Sequence, residues 1–348
     1  MSEVGGYTLK HRDNTDFKRW STDYKLGSPV IAGSGMKGRF DSHGVDSPFV
    51  FYHGDRYMMT YIGFDGLGYQ TALAESDDLI HWRSLGTILR RNEGNDWDRI
   101  GAAGTWLLKE SDEISERPVL KKVDGKYWMV YHSYPEEGYE CGPAEIGLAW
   151  TTDEDLLEWN RLERPVFSWQ GGADWERGGL YKACLLEHEG TYYLFYNAKN
   201  DGERWHEQTG VAMSQDLLHW SRYEGNPVLR NIPGSWQSAF VSDPCVVKDG
   251  NKWVMFYFGF DGSHAQEGLA VSDNLLDWKR AEEPIVRHGA PGDLDELHAH
   301  KPYVLRHNEV LYHYYCAVRP VRYEDVILGN EYRTITVAAS SHIDTTAT

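Results

Sequence analysis

The sequence predicts an all-β fold, a five-bladed β-propeller whose four-stranded antiparallel blades surround a central channel. Three observations carry this. A short phrase recurs as "SDDLIHW" (residues 76–82), "TDEDLLEW" (152–159), "SQDLLHW" (214–220) and "SDNLLDW" (272–278). Each copy follows a strand ending in small residues, "TALAES", "IGLAWTT", "TGVAMS" and "EGLAVS", and a fifth such strand, "TVAASS" at 336–341, lacks the Trp. Upstream lie five aromatic segments, "DRYMMTY", "KYWMVYHS", "TYYLFYNA", "KWVMFYFG" and "EVLYHYYC", with bulky β-formers at the two-residue spacing of a sheet packed on both faces.

Each repeat opens on an apolar segment and a turn, "PFVFYHGD", "PVLKKVDG", "ACLLEHEG", "PCVVKDGN" and "PYVLRHNE". The unit therefore reads strand, turn, strand, loop, strand, tight turn, and a last strand opening on Trp. Such a unit, roughly 50–75 residues long, cannot bury its own faces and packs against its neighbours around an axis. Within the phrase, Ser and Asp bond their own backbone to turn the chain, while Leu and Trp pack between blades, so the phrase is architecture and not chemistry. Residues 39–348 form the propeller and residues 1–38 an arm lying across it or onto a partner subunit.

Composition narrows the function. The chain has 348 residues, 41% of them hydrophobic, enough for a sizeable core. Its 35 Lys and Arg against 53 Asp and Glu give a net charge of -18, which repels nucleic acid, phosphorylated ligands and anionic membranes and favours a neutral substrate. There is no run of about 18 apolar residues and no signal peptide at the polar N-terminus, so the expected location is cytoplasmic, or periplasmic or secreted if a leader has been trimmed. Cys141, Cys184, Cys245 and Cys316 are far apart and mostly in apolar runs, as expected of reduced thiols.

The copies stop agreeing at the start of their first strands: "FDSHGVDSP", "WDRIGAAGT", "WERGGLYKA", "WQSAFVSDP" and "LDELHAHKP". In a propeller these strands line the channel, so Asp46 and Ser47, Ala103 and Gly104, Tyr181 and Lys182, Ser242 and Asp243, and His300 and Lys301 converge at one end of the axis. Scaffold positions should look alike in every copy, and these do not. The convergent set holds two carboxylates, an imidazole and two lysines, and His43 and His298 flank the same strands. Glycosidic hydrolysis needs a carboxylate to activate water, a proton donor, and charge to stabilise an oxocarbenium-like transition state. Asp46 is expected as the base, Asp243 as the residue that holds the sugar and tunes its partner, and His300, protonated beside carboxylates, as the acid. Replacing Asp46 by Asn is expected to lower turnover and leave folding intact, because a channel-facing acid contributes little to the core.

The "DSP" and "SDP" segments, the aromatic second strands and the Ser-Asp-Leu-x-x-Trp turns resemble the five-bladed propeller glycosidases. These are the arabinanases and β-xylosidases (family 43), invertases and fructanases (family 32), mannoside phosphorylases (family 130) and neoagarooligosaccharide hydrolases (family 117), and the resemblance spans about Arg39 to Ser341. It implies an inverting, exo-acting glycoside hydrolase that removes a terminal neutral sugar from an oligo- or polysaccharide. The neoagarooligosaccharide hydrolases place an Asp base, an Asp and a His acid in the first, fourth and fifth blades, the order of Asp46, Asp243 and His300. In the arabinanase-like family the acid is a Glu on the third blade's inner strand; only Glu176 stands near "GGLYKACLL", which makes it a reserve donor.

Substrate contacts are expected from Asp41, His43, Arg177, Tyr181, Lys182, His298 and Lys301, and from Asp65 and Asp261 of the two "GFDG" loops. Trp106, Trp175, Trp205 and Trp236 are candidate sugar platforms, although each is also suited to packing between blades. Asp41, Asp98, Glu176, Gln237 and Asp295 follow a repeated aromatic or Leu, the pattern of a structural hydrogen bond. The insertion "LLKESDEISER" reads as a solvated loop. A phosphorylase would need a basic cluster, which Arg177, Lys182, Lys301 and Arg319 could supply, and a binding propeller without chemistry is the other alternative. No cofactor is required; a hydrated divalent cation could sit on the axis near His298 or His300. The expected partner is a neutral glycan, not nucleic acid or membrane, and the protein a monomer or homodimer.

Overall fold

A computed structural model describes residues 16–343; residues 1–15 of the expected arm lie outside that range. The chain is all-β, and the described helical content is two 3-10 pieces, Phe17–Trp20 and Asp174–Glu176. Among the described residues no helix is long and apolar enough to cross a membrane.

The strands run as consecutive antiparallel meanders. The first is Gly44–His53, Arg56–Phe64, Tyr69–Ser76 and Arg83–Leu89. The second is Ala103–Leu107, Lys126–Ser133, Glu145–Thr151 and Asn160–Arg161; the third is Gly179–His188, Thr191–Lys199, Glu207–Ser214 and Ser221–Arg222. The fourth is Phe240–Asp249, Lys252–Phe260, Ala265–Ser272 and Lys279–Arg280. The fifth is His298–His307, Val310–Pro320 and Glu331–Ala339, and its outer edge is completed from the start of the chain by Tyr24–Lys25 and Ile31–Ala32. That edge is why "TVAASS" is followed by no Trp phrase: the outer position is already filled. Single parallel pairings, Glu207 with Phe240 and Ala265 with His298, join the third, fourth and fifth meanders edge to edge.

The recurring phrase folds as its residues dictate. Ser76 Oγ accepts from the N–H of Asp78 at 3.2 Å and of Leu79 at 2.9 Å, and Asp78 Oδ1 accepts from Ile80 at 2.9 Å and His81 at 2.8 Å. Leu79 takes φ 69°, a left-handed conformation unusual for Leu, and Trp82 Nε1 donates to its carbonyl at 3.2 Å. Burial of the Leu side chain offsets that strain; Leu79, Leu156, Leu217 and Leu275 are all buried with positive φ.

A different Trp, the one that opens the entry segments "WDRIGAAGT", "WERGGLYKA" and "WQSAFVSDP", lies flat on a second-strand Tyr: Trp97 on Tyr131, Trp175 on Tyr196 and Trp236 on Tyr257. Room for the indole is made by a glycine of the third strand. A Cβ at Gly147, Gly210 or Gly268 would stand 2.4, 2.7 or 2.7 Å from the Trp ring. Gly210→Ala is therefore expected to destabilise by about 1–3 kcal/mol through overpacking, measured by urea unfolding; an unchanged midpoint would show that the ring can shift.

All the first strands break register at the same place, between Asp46 and Phe49, Gly104 and Trp106, Tyr181 and Cys184, Ser242 and Cys245, and His300 and Tyr303. Ser47, Lys182, Asp243 and Lys301 have φ of 52, 51, 54 and 64°. A bulge places two residues opposite one and re-aims a side chain, so the divergent residues of the sequence sit where the scaffold turns them toward one another.

The insertion "LLKESDEISER" is not the solvated loop expected. Lys109, Asp112 and Ile114 are buried, Ile114 donates its N–H to Lys248 O at 2.7 Å, and Lys248 donates to Asp112 O at 2.7 Å. The segment is a strap from the second meander to the C-terminal end of Phe240–Asp249, the end away from the bulge. Its apolar Leu107, Leu108 and Ile114 supply the burial that its charges concealed. The four cysteines are free, three buried and Cys141 half-buried, as their spacing predicted.

Candidate functional site

Asp46 is the electrostatic centre of the convergence. It is 1% exposed, and Lys182 Nζ donates to its Oδ1 at 3.2 Å, Lys301 Nζ to its Oδ2 at 2.8 Å and Arg333 Nη1 to Oδ2 at 3.4 Å. Burial works to raise its pKa, but the charges of Lys182, Lys301 and Arg333 overcome burial and hold the carboxyl well below the usual range. The expectation that this acid contributes little to folding does not survive: three buried cations have Asp46 as a common partner.

Beside it is a narrow chamber of about 250 Å³ faced by Glu140, Glu207, Asp243 and the walls Tyr181, Trp205 and Phe258. Glu207 opens the third strand of its meander, is buried, and accepts a hydrogen bond from Ser242 Oγ. Burial first, and then the charge of Glu140, push its pKa up to about 8, so it carries a proton at neutral pH. Asp243 is clamped by Asn197, whose Nδ2 donates to Oδ1 and whose Oδ1 accepts the Asp243 N–H at 2.7 Å. Its Oδ2 is buried without a hydrogen-bond partner, and burial raises its pKa against the opposing charge of Lys182. Glu140 sits on the loop after Lys126–Ser133; its Oε1 is 3.8 Å from Lys301 Nζ, and its carbonyl accepts from Lys199 Nζ at 3.0 Å.

A second, wider chamber of about 700 Å³ adjoins the first and is faced by His43, Asp46, Tyr69 and the segment Leu328, Gly329, Asn330 and Glu331. Tyr139, His298 and Arg333 border both.

His300 does not have the environment expected of a proton donor. Its Nδ1–H donates to Cys316 O at 3.0 Å, and Nε2 accepts from Arg333 Nη1 at 3.1 Å. Burial, then the charges of Arg333 and Lys301, hold its pKa well below the ordinary value, so it is neutral with both nitrogens engaged. Cations outnumber the carboxylates expected to charge it. Its one ligating lone pair, on Nε2, is thus engaged by Arg333 and not free for a divalent cation. His298, brought down to about 4 by burial and then Arg333, accepts at Nδ1 from Ala265 N–H at 3.1 Å. Among the described residues no group of three or more His, Cys, Asp and Glu is arranged to hold a metal.

The structure brings His43, Asp46, Tyr181, Lys182, Trp205, Asp243, His298, His300 and Lys301 to the chambers and leaves the other expected contacts outside. Glu176 is not a spare acid: it accepts from Tyr196 Oη at 2.7 Å, Arg222 Nε at 2.9 Å and Ala173 N–H at 2.8 Å. Asp98, Gln237 and Asp295 make the same bond to a second-strand tyrosine, from Tyr131, Tyr257 and Tyr315. Asp41 accepts from Ser34 Oγ at 2.6 Å, and Arg177 pairs with exposed Asp174 at 3.0 Å. Asp65 is tied to Arg91, and Asp261 caps its own turn by accepting from Ser263 and His264 N–H. Trp106 is buried against Phe49 and Tyr303, because its strand points it into the core. Trp175 and Trp236 belong to the structural stacks. Arg319 is consumed by a two-point pair with Asp325 at 2.7 and 2.6 Å.

Glu207, Glu140, Arg333, Glu331 and Asn197 were not singled out by sequence. One signal for Glu207 existed: aligned on the third strands, its position holds Tyr69, Ala144 and Ala265 in the first, second and fourth copies and Arg333 in the fifth. Glu140 lies in an irregular loop with no repeated frame.

An all-β array of meanders that gathers buried carboxylates of several strands and loops around two adjoining chambers has the form of a glycoside hydrolase domain of the propeller type. The chain belongs to the family described as "Glycosyl hydrolases family 32 N-terminal domain", whose profile matches residues 117–296. It is similar to a solved structure described as an RGII complex, with 30% identity, 95% of each protein covered and a TM-score of 0.80. It is 28% identical over 184 residues to the 1,2-beta-oligomannan phosphorylase of Thermoanaerobacter sp. (strain X514), covering 51% of this chain and 52% of that one. It is also 32% identical over 164 residues to the sucrose-6-phosphate hydrolase of Zymomonas mobilis, covering 44% and 30%.

Proposed function

We propose that the meanders form a five-bladed propeller, whose fifth blade starts within the expected arm because Tyr24–Lys25 and Ile31–Ala32 form its outer edge, and that the chain is an exo-acting glycoside hydrolase releasing one terminal neutral sugar. The observation that carries the reading is Glu207: a buried carboxyl that stays protonated to about pH 8, in a chamber that a second carboxylate, Glu140, also faces. A buried carboxyl held protonated beside a second carboxylate suits the role of the acid. Glu207 donates its proton to the glycosidic oxygen as the bond to the anomeric carbon breaks. Glu140 activates the water that completes hydrolysis with inversion, and Asp243 accepts a sugar hydroxyl at its unpartnered oxygen while its charge helps keep Glu207 protonated. Asp46 gathers Lys182, Lys301 and Arg333, which offset the carboxylates of the chamber. The small volume of the narrow chamber, about 250 Å³, supports exo action, since it has room for a single terminal ring.

The similarity to the RGII complex makes RGII the first substrate to test. Release of a monosaccharide, with its anomeric form read by proton NMR before mutarotation, is the expected result; release of internal fragments would sink exo action, and the retained anomer would sink inversion.

A phosphorylase is the second reading, favoured by the similarity to the oligomannan phosphorylase and by three cations at the chambers. Those cations share Asp46, and Lys182, Lys301 and Arg333 also pair with Asp243, Glu140 and Glu331 respectively, so turnover is expected to be equal with and without inorganic phosphate. A rate that requires phosphate and yields a sugar phosphate would establish the phosphorylase instead.

A further inference from the structure

We propose that the wide chamber is a recognition site for the leaving part of the substrate, and that segment 321–330 is its preformed specificity wall. This rests on the hydrolase reading above and adds what lies on the far side of the broken bond. The two chambers differ in capacity. At about 250 Å³ the narrow one is below the range of roughly 300–1,000 Å³ typical of whole-ligand sites and suits a single ring. At about 700 Å³ the wide one has room for more than one further ring, and Tyr139, His298 and Arg333 form the border a glycosidic bond would cross.

The wall is an addition to the repeat. The connection between second and third strands is short in the first and fourth meanders, 65–68 and 261–264, intermediate in the third, 200–206, and extended in the second and fifth, 134–144 and 321–330, the two that carry Tyr139 and Asn330 to the chamber. It is held in place before any ligand arrives. Arg319 grips Asp325 with two nitrogens, the Arg322 N–H donates to the same carboxylate at 2.6 Å, and the Leu328 N–H donates to Ser42 O at 2.9 Å. Gly329 packs so closely that a Cβ there would stand 2.4 Å from His43 O. The wall thus presents Leu328 and Asn330, both exposed, to the chamber, opposite Tyr69 and Tyr139. Tyr69 Oη is buried and has no hydrogen-bond partner, a cost that a ligand hydroxyl would remove. Apolar rings and edges, interleaved with Asn330 and the charged groups of Asp46, Glu331 and Arg333, suit the faces and hydroxyls of a sugar chain.

The test compares two substrates on the full-length protein. For wild type, Asn330→Ala and Leu328→Ser, kcat/KM is measured on RGII and on whichever 4-nitrophenyl glycoside the wild type cleaves best, whose leaving group is a single small ring. The ratio of the two constants is expected to fall by about tenfold in each variant, the equivalent of one lost contact, with the loss in KM. A ratio that stays constant, whether both constants fall or neither does, overturns the proposal. If the wild type cleaves neither substrate, the hydrolase reading fails by itself, and calorimetry of RGII binding then decides the chamber: about tenfold weaker binding in Asn330→Ala supports it, whereas equal binding, or none to the wild type, overturns it.

Discussion

Glu207→Gln should lower kcat/KM by about 10²–10⁴-fold, the usual contribution of a positioned general acid, while leaving the fold intact. Gln matches Glu in shape, keeps an oxygen for Ser242, and removes a group that burial already holds neutral. The pH profile gives the sharper check. With a pKa of about 8 in the free enzyme, the donor is protonated through neutral pH, and kcat/KM should decline as pH rises through about 8. That descending limb should vanish in the variant. Stability follows the same proton. Between the ordinary pKa of a glutamic acid and about 8, the folded chain binds a proton that the unfolded chain releases, so this contribution is complete below the unfolded value and is lost as pH rises through about 8. Glu207→Gln should flatten that part of the stability curve. Turnover within a few-fold of wild type, with the alkaline limb unchanged, would remove Glu207 from the chemistry and return attention to Asp46 and Asp243.

Asp46→Asn should cost about 3–5 kcal/mol of folding stability, the cost of leaving a buried charge unpaired, as well as activity. The change leaves Lys182, Lys301 and Arg333 facing one another in a site where Asp46 is 1% exposed. The lysines already respond unequally. Burial wins at Lys182, whose pKa is lowered, whereas at Lys301 burial is outweighed by the charge of Asp46 and neighbouring groups and the pKa rises. Without the carboxylate Lys182 should be the first to shed its proton, so part of the lost stability should return as pH rises. Adding Lys182→Met should recover part of it at neutral pH. Guanidinium unfolding of the single and double variants measures both effects. A single variant as stable as wild type would show that the cations are already separated by water.

Much of the scaffold was legible because it repeats. The Ser-Asp-Leu-x-x-Trp turn, the flat Trp on Tyr and the glycine beneath it are local consequences of residue type, and each recurs, so one copy explains the others. The chambers were legible only at the bulged strands, where Asp46, Lys182, Asp243 and Lys301 break the pattern of their own repeat. Glu207 breaks the pattern of the third strands in the same way, and comparing those strands would have exposed it. Glu140, Asn330 and the strap at 107–117 lie in connections with no repeated frame, and their charged sequences resemble solvated loops.

By itself, the sequence determined the all-β class, the order of strands, the turns and the convergence of divergent residues, because these follow from two-residue periodicity and from hydrogen bonds between near neighbours. The tertiary structure decided which group holds a proton. Asp46 and Glu207 are both buried carboxyls, yet one lies among three cations and the other beside Glu140, and their pKa values move in opposite directions. His300, expected to be charged, is neutral because it is buried and because Arg333 and not a carboxylate reaches its Nε2. Protonation depends on charge and solvent within a few ångströms, and those neighbours come from strands far apart in the chain.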